Sequence, residues 1–165
     1  MLKTKIQSAV RPLALAAAAI VANGAAADTA KSGDSKAEVI RAVRAAEQLL
    51  AQGVDSKTFV HALYNDDVVM VGGDKPGAKH GSQAAISEVQ AWFDYMGPHG
   101  IKTCKYTIEE PIIASATSVS SFLQLSCKAN PPNVTTDQFY TEMYIWTKTA
   151  QGWRVALEMW APGKF

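Results

Sequence analysis

The sequence lacks the features that mark several large classes of protein. Its 16 basic and 15 acidic residues nearly cancel, so it offers no basic stripe to a nucleic-acid backbone. Its longest apolar run, residues 13–22, has about ten residues, whereas a membrane-spanning helix needs roughly 20. We therefore expect no nucleic-acid partner and no membrane span in the mature chain.

Motifs for metals and cofactors are also missing. The three histidines and two cysteines do not combine with acidic residues at metal-ligand spacing. The glycines at 72, 73, 77 and 81 do not follow the phosphate-binding GxGxxG pattern, and there is no nucleophile elbow or Ser/His/Asp order. We predict neither a metal nor another cofactor.

The first 27 residues have the pattern of a secretory signal peptide. Lys3, Lys5 and Arg11 precede the short apolar run, and Ala25–Ala27 offers a small-residue cleavage site. A buried N-terminal helix is the alternative. Cleavage would leave 13 basic against 15 acidic residues in a chain of single-domain length. We predict export to the periplasm or the cell exterior.

The mature chain is predicted to consist of a disordered lead-in, residues 28–34, and a single domain, residues 35–165. Ser35 and Glu38 have capping-box spacing and predict the start of a first helix. Apolar residues then recur at helical spacing until Gly53, which can take a positive φ and end the helix.

Two more helices and a short strand follow in the pattern. Asp55 or Ser56 is predicted to cap a second helix, and Asn65–Asp67 to end it. Val68–Val71 is then predicted as a strand, Gly72–Gly81 as a loop and Ser82 as the cap of a third helix. After residue 100 the period changes to two residues, which is typical of strands. Helices segregated from an antiparallel sheet define an α+β fold.

Two of the predicted strands carry one cysteine each, and Pro111 is expected to perturb the first of them. Pairing Cys104 with Cys127 also sets Tyr106 opposite Leu125, so apolar residues face each other across the strands. Two cysteines in an exported protein are expected to pair. We predict a Cys104–Cys127 disulfide; two free buried thiols are the alternative.

Three segments make the chain resemble the nuclear transport factor 2-like superfamily, in its ketosteroid-isomerase-like and polyketide-cyclase-like branch. They are Ala62–Val68, His80–Ile86 and the closing Gly152–Trp160. The resemblance implies a cone of the cystatin-like type, in which three N-terminal helices pack on a curved antiparallel sheet. It also implies a pocket at the open end and dimers through the outer sheet face.

The isomerases of this family use a tyrosine on the first helix, an aspartate base after the first strand and a protonated carboxylic acid on the penultimate strand. The matching positions here are Ala46, Gly72 and Met143. None of these residues can donate a hydrogen bond to an enolate or carry a proton. Ketosteroid isomerase chemistry by the usual residues is therefore not expected.

Glu158 is the leading candidate for a catalytic residue. Among large apolar side chains its pKa should rise, so it could act as a general acid or base near neutral pH. A structural glutamate bonded to a loop or helix end is the alternative. His80, before the third helix, is the second candidate, or else a surface residue. Asp74 and Glu142 are further substitutes for the missing base and acid.

The residues from 138 to 160 are predicted as a hairpin that turns at Thr149–Gly152. The resemblance and strict alternation together assign one face to the pocket: Thr141, Met143, Ile145, Thr147, Arg154, Ala156, Glu158 and Trp160. The opposite face of the hairpin is too apolar to be left exposed to water, and we predict that it forms a homodimer interface. Its residues are Tyr140, Tyr144, Trp146, Val155 and Leu157. The predicted pocket wall consists of Met143, Ile145, Arg154, Trp160, Trp92 and Tyr64.

Three functions remain open from the sequence. The first is an exported dimeric domain that binds a small apolar or aromatic molecule without vigorous chemistry. The second is a cofactor-independent isomerase, dehydratase or cyclase that uses Glu158 as acid or base, assisted by His80. The third is a protein-interaction module whose groove is filled by its own side chains.

Overall fold

The computed structural model describes residues 17–73, 76–98, 103–129 and 136–164, with 17–32 and 110–111 described by their backbone alone. The three helices are α1 (Ala17–Gln52), α2 (Ser56–Leu63) and α3 (Ser82–Met96). The six strands are β1 (Tyr64–Gly72), β2 (Ala78–His80), β3 (Cys104–Ala114), β4 (Ser118–Cys127), β5 (Gln138–Thr149) and β6 (Gly152–Pro162).

The strands form one curved sheet in the order β2-β1-β6-β5-β4-β3, against which the helices pack. Every neighbouring pair is antiparallel except β1 and β6, which run parallel. The predicted α+β class is confirmed, but the sheet is mixed rather than antiparallel. In the parallel pair, β1, which follows α2, lies beside β6, the last strand of the chain, and runs in the same direction.

Helix α1 begins earlier than the sequence predicted. It runs from Ala17 to Gln52, so residues 28–34 are helical rather than a disordered lead-in. Ser35 is buried inside this helix and does not cap its N-terminus. The alanine-rich segment before Ser35 has a high helix propensity, which prevails over the capping signal. The end at Gly53, with φ 67°, is confirmed. Cleavage of the leader stays a prediction.

Helix α2 is capped by Asp55, whose Oδ1 accepts a 2.6 Å hydrogen bond from the Thr58 N–H. The predicted break at 65–67 is instead the first part of β1, which starts at Tyr64 and shifts register just beyond it. There the Asn65 side-chain amide donates a 2.8 Å hydrogen bond to Thr147 Oγ1 on β5. The Asn and Asp residues therefore lie in a strand irregularity.

Strand β2 lies inside the region that was predicted as a loop. It pairs antiparallel with β1, with His80 opposite Val69. Its three residues are all exposed, so the strand has no alternation of apolar and polar residues from which it could be predicted. Helix α3 begins at Ser82, but Gly81 occupies the N-cap position and no side chain caps the helix. Gly81 takes φ 82°, a conformation that favours glycine.

The predicted pairing of the cysteine strands is confirmed. Cys104 lies opposite Cys127 and Tyr106 opposite Leu125, and the two sulfurs form a disulfide with an S–S distance of 2.05 Å. The register shifts around Pro111, as expected. The β3–β4 pair is thus closed at one end by a covalent link.

A β-bulge in β6 reverses the predicted faces of the last hairpin. The turn at Thr149–Gly152 is confirmed, but Ile145 pairs with Leu157 while Trp146 pairs with Val155, which leaves Ala156 without a register partner. One extra residue reverses the alternation of a strand beyond it. Side chains on both sides of the bulge, among them those of Val155 and Glu158, are therefore buried against the helices.

The predicted homodimer face was consequently wrong in most of its residues. Tyr144, Trp146 and Val155 are at most 2% exposed and belong to the core, and Tyr140 packs against that core. The residues that alternate with them on β5, Met143 and Ile145 among them, point away from the helices instead.

The core between helices and sheet is apolar. Val43 of α1, Phe59 of α2 and Leu123 of β4 are almost fully buried, as is Trp146 of β5. The indole N–H of Trp146 donates a 2.9 Å hydrogen bond to the buried Ser121 hydroxyl. Among the described residues, no helix is both long enough and apolar enough to cross a membrane.

Candidate functional site

A cavity of about 370 Å³ lies between the helices and the concave face of the sheet. It is within the size range of small-molecule pockets. Nine of its 18 described lining residues are aromatic. Its polar groups include the carboxyls of Glu142 and Glu158, which are both 5% exposed. The cavity therefore combines apolar walls with two buried acids.

Glu158 is brought to the cavity by the bulge at Ala156. Its Oε2 accepts a 2.7 Å hydrogen bond from the hydroxyl of Tyr64, the first residue of β1. Burial raises the pKa of Glu158 to about 7, and the Tyr64 hydrogen bond opposes that rise. Near neutral pH this carboxyl therefore exchanges readily between its acid and its carboxylate.

Glu142 lies on the neighbouring strand β5. Its Oε2 accepts a 2.6 Å hydrogen bond from the hydroxyl of Tyr144, which is itself 3.4 Å from the hydroxyl of Tyr106. Burial and then the charge of Glu158 raise the pKa of Glu142 well above its ordinary value, and the Tyr144 bond opposes this. Burial thus favours the protonated form of both carboxyls, and the charge of one ionised partner disfavours ionisation of the other, so the pair holds on to a shared proton.

The two carboxyls are close enough to act on one ligand. Tyr144 pairs with Glu158, so Glu142 is the diagonal neighbour of Glu158 across the two strands. Diagonal neighbours have Cα atoms roughly 7–8 Å apart. The pKa values of Tyr64, Tyr106 and Tyr144 are all raised, by burial first and by the carboxyl charges, so these phenols stay protonated and donate.

Three aromatic rings form part of the cavity wall. The ring of Tyr140 lies 6.5 Å from that of Trp92 and 6.4 Å from that of Trp160, with interplanar angles of 86° and 80°. Trp160 also packs on Gly72, where a Cβ would stand 2.5 Å from its ring atom Cζ2. A side chain at the position of the isomerase base would therefore displace this tryptophan.

The structure brings together four of the residues predicted for the site. Glu158, Trp160, Trp92 and Tyr64 all line the cavity. Met143 and Ile145 do not, because the face prediction for β5 was wrong. Arg154 is also outside the lining and belongs to a separate surface groove with His61 and Asn65.

His80 does not reach the cavity either. It is exposed on β2 and is absent from the described lining, so its predicted catalytic role has no geometric support. Asp74 and His99 lie outside the described residues. Glu142, which the sequence offered only as a substitute for the missing acid, does line the cavity, and its partner Tyr144, which was assigned to the homodimer face, lines it too. The signal was present, since a glutamate and a tyrosine two residues apart share one face of a strand.

Within the described part of the chain, no three His, Cys, Asp or Glu residues are grouped so that they could hold a metal ion. The polar groups in the described lining of the cavity include carboxyls and phenols. These groups can exchange protons with a bound molecule and hydrogen-bond to its oxygen or nitrogen atoms.

No family model and no curated protein matches the sequence. Solved structures match its fold. A nuclear transport factor 2-like protein with a cystatin-like fold from Novosphingobium aromaticivorans is 10% identical with a TM-score of 0.63, and 90% of this chain and 91% of that chain are covered. A ketosteroid isomerase-like protein from Erwinia carotovora atroseptica is 21% identical with a TM-score of 0.57, covering 78% and 96% of the two chains.

A third match comes from Streptomyces avermitilis and is named provisionally as a dehydratase of the same family. It is 11% identical with a TM-score of 0.61, and the coverage is 81% of this chain and 99% of that chain. At these identities the likeness shows a shared fold and nothing about the reaction.

Proposed function

We propose that this chain, which has the nuclear transport factor 2-like fold, is an acid–base enzyme of the isomerase, dehydratase or cyclase type. Its substrate is a small, largely apolar or aromatic molecule. One observation carries the proposal: two buried carboxyls, Glu142 and Glu158, both with raised pKa values, line the same aromatic cavity. Pairs of this kind separate the roles of acid and base.

In the proposed reaction Glu158 is the base and Glu142 the acid. The Glu158 carboxylate takes a proton from a substrate carbon, while the Glu142 carboxylic acid hydrogen-bonds or protonates the substrate oxygen on which charge develops. In an isomerisation Glu158 then delivers its proton to a different carbon of the substrate, and the substrate oxygen returns its proton to Glu142, so the pair ends in its starting state. In a dehydration the protonated hydroxyl leaves as water, and the pair then exchanges its proton with solvent.

The tyrosines position these groups. The Tyr64 hydroxyl holds one oxygen of Glu158, and the Tyr144 hydroxyl holds one oxygen of Glu142. Each bond favours the ionised form of its carboxyl and so limits the rise in pKa that burial causes. Without Tyr64, Glu158 would be protonated over more of the neutral pH range and would be a poorer base.

The other two functions are less well supported. A groove filled by its own side chains does not agree with a cavity of about 370 Å³. Binding without chemistry requires no acid of shifted pKa, and a carboxyl buried for structural reasons alone would not need to line the cavity. The neighbour named as a dehydratase has the same fold, which makes the reaction class compatible with the scaffold.

Deuterium exchange tests the proposal without knowledge of the product. Small cyclic ketones and enones would be incubated in D₂O with the protein, and deuterium next to the carbonyl would be followed by NMR. We expect exchange catalysed by the wild type and reduced roughly 10²-fold or more by Glu158→Gln. Glu109→Gln, an exposed glutamate on β3, is the matched control. Equal rates for all three proteins would refute the proposal.

Homodimerisation and export complete the proposal. An outward row of apolar residues on β4, β5 and β6 offers a surface for a second copy, in place of the face predicted from the sequence. The disulfide is compatible with an oxidising compartment. N-terminal sequencing of the exported protein would test cleavage before Asp28, and an intact Met1 would contradict it.

A further inference from the structure

The cavity has an uneven distribution of charge. Three carboxyl groups line it, those of Glu88, Glu142 and Glu158, while none of its described lining residues is Lys, Arg or His. Two lysines outside the lining contact lining residues. Lys79 Nζ is 3.6 Å from Glu88 Oε1, and Lys164 Nζ lies 4.0 Å from the ring centroid of Phe139. Of the three carboxyl groups, that of Glu88 thus has a lysine beside it, whereas those of Glu142 and Glu158 accept hydrogen bonds from tyrosines.

The aromatic wall has the same preference. Aromatic ring faces carry negative electrostatic potential and attract a cation within about 6 Å of their centroid. Tyr140 meets Trp92 and Trp160 nearly at right angles, so the three rings present differently oriented surfaces to one volume. Lys164 already occupies the face of another lining ring, that of Phe139. The aromatic rings and the carboxyl groups thus each favour a positively charged ligand in the cavity, and they do so through different interactions.

We infer that the cavity binds a small organic cation, an amine that also carries an apolar or aromatic group. This inference rests on the proposed function, because it names the substrate class of the same site. The ammonium group lies between the three rings and the carboxyls of Glu142 and Glu158. A carboxylate or phosphate ester is disfavoured, since no cationic side chain among the described lining residues would offset the loss of its hydration.

A set of three matched probes tests the charge preference. Benzyltrimethylammonium is the cation, 2,2-dimethylpropylbenzene is its neutral isostere and phenylacetate is the anion, each measured by quenching of tryptophan fluorescence. We expect the cation to bind at least tenfold more tightly than the neutral compound, and the anion not to bind. The double variant Glu142→Gln/Glu158→Gln should lose that preference, while Glu109→Gln should keep it.

The inference is overturned if the neutral isostere binds as tightly as the cation, if the anion binds more tightly, or if the cation does not bind. The deuterium-exchange assay is independent of these probes. Exchange that depends on Glu158, together with equal binding of cation and isostere, would therefore reject the amine and leave the proposed acid–base function in place.

Discussion

The hydroxyl of Tyr64, where α2 gives way to β1, donates a 2.7 Å hydrogen bond to Glu158 Oε2 on β6, across 94 positions of sequence. This bond lowers the pKa of a carboxyl that burial raises to about 7. The pKa of Glu158, the proposed base, is therefore set by two opposing effects, burial and the hydrogen bond from the Tyr64 hydroxyl.

Removal of that hydroxyl should raise the pKa of Glu158. We expect Tyr64→Phe to move the first proton loss of the pair to higher pH, because the carboxylate loses its hydrogen-bond donor. The measurement is a pH titration of ¹³C-labelled glutamate carboxyls by NMR. Tyr144→Phe is the matched control, since it removes the donor of Glu142 instead. An unchanged or lowered pKa for Glu158 in Tyr64→Phe would contradict the assignment.

Stability should depend on pH through Glu158. Its pKa is raised from 4.5 to about 7 in the folded protein, so folding favours the protonated form. The stabilisation is fully present below about pH 4.5 and is lost as the pH rises to about 7. A shift of this size corresponds to about 3 kcal/mol of unfolding free energy. Burial of Glu142 acts in the same direction.

Urea unfolding between pH 4.5 and 8 measures this dependence. Glu158→Gln should flatten the decline in unfolding free energy, because glutamine has no proton to lose. Glu109→Gln, at an exposed position, should keep the wild-type slope. If Glu158→Gln declined as steeply as the wild type, the raised pKa would have to belong to another group.

The disulfide should contribute to stability. It closes a loop with a sequence separation of 23 residues, which corresponds to about 3 kcal/mol on the loop-entropy model. We expect Cys104→Ala/Cys127→Ala to lose unfolding free energy of this order in urea, and reduction of the wild type to give a similar loss. Two alkylated cysteines in unreduced, denatured protein, detected by intact mass, would show that the bond does not form.

Gly72 should be required for the position of Trp160. A Cβ at this residue would lie 2.5 Å from Trp160 Cζ2, so Gly72→Ala must displace the indole from the cavity wall. We expect a change in tryptophan fluorescence and weaker binding of benzyltrimethylammonium. Gly33→Ala is the control, since nothing lies within 4 Å of its added Cβ and the residue is helical. Unaltered fluorescence and binding in Gly72→Ala would contradict this packing.

The outer sheet face should form the homodimer. Phe122, Met143 and Met159 lie side by side across β4, β5 and β6, and Phe122 and Met159 are 36% and 44% exposed. We expect a wild-type dimer at micromolar concentration by light scattering, and a monomer for Met143→Glu. Lys105→Glu, exposed on β3, should remain dimeric. A wild-type monomer would refute the interface.

Much of the fold could be predicted because its signals are local. The cysteine register, the Asp55 cap and the Thr149–Gly152 turn each follow from a few neighbouring residues, and all three are confirmed. The candidate site was predicted less completely. Glu158, Trp160, Trp92 and Tyr64 line the cavity, and so does Glu142, which was named only as a substitute acid, whereas Met143, Ile145 and Arg154 do not. His80 was given a role that its exposed position does not support.

The sequence by itself determined two of the strand pairs, β3–β4 and β5–β6, because apolar alternation, turn residues and cysteine positions lie close together along the chain. Only the tertiary structure decided which side chains meet. The bulge at Ala156 changes the parity of β6, and the parallel contact with β1 then brings Tyr64 to Glu158. A single inserted residue leaves no mark in the alternation of a strand that is apolar on both faces. It nevertheless decides which carboxyls are buried together.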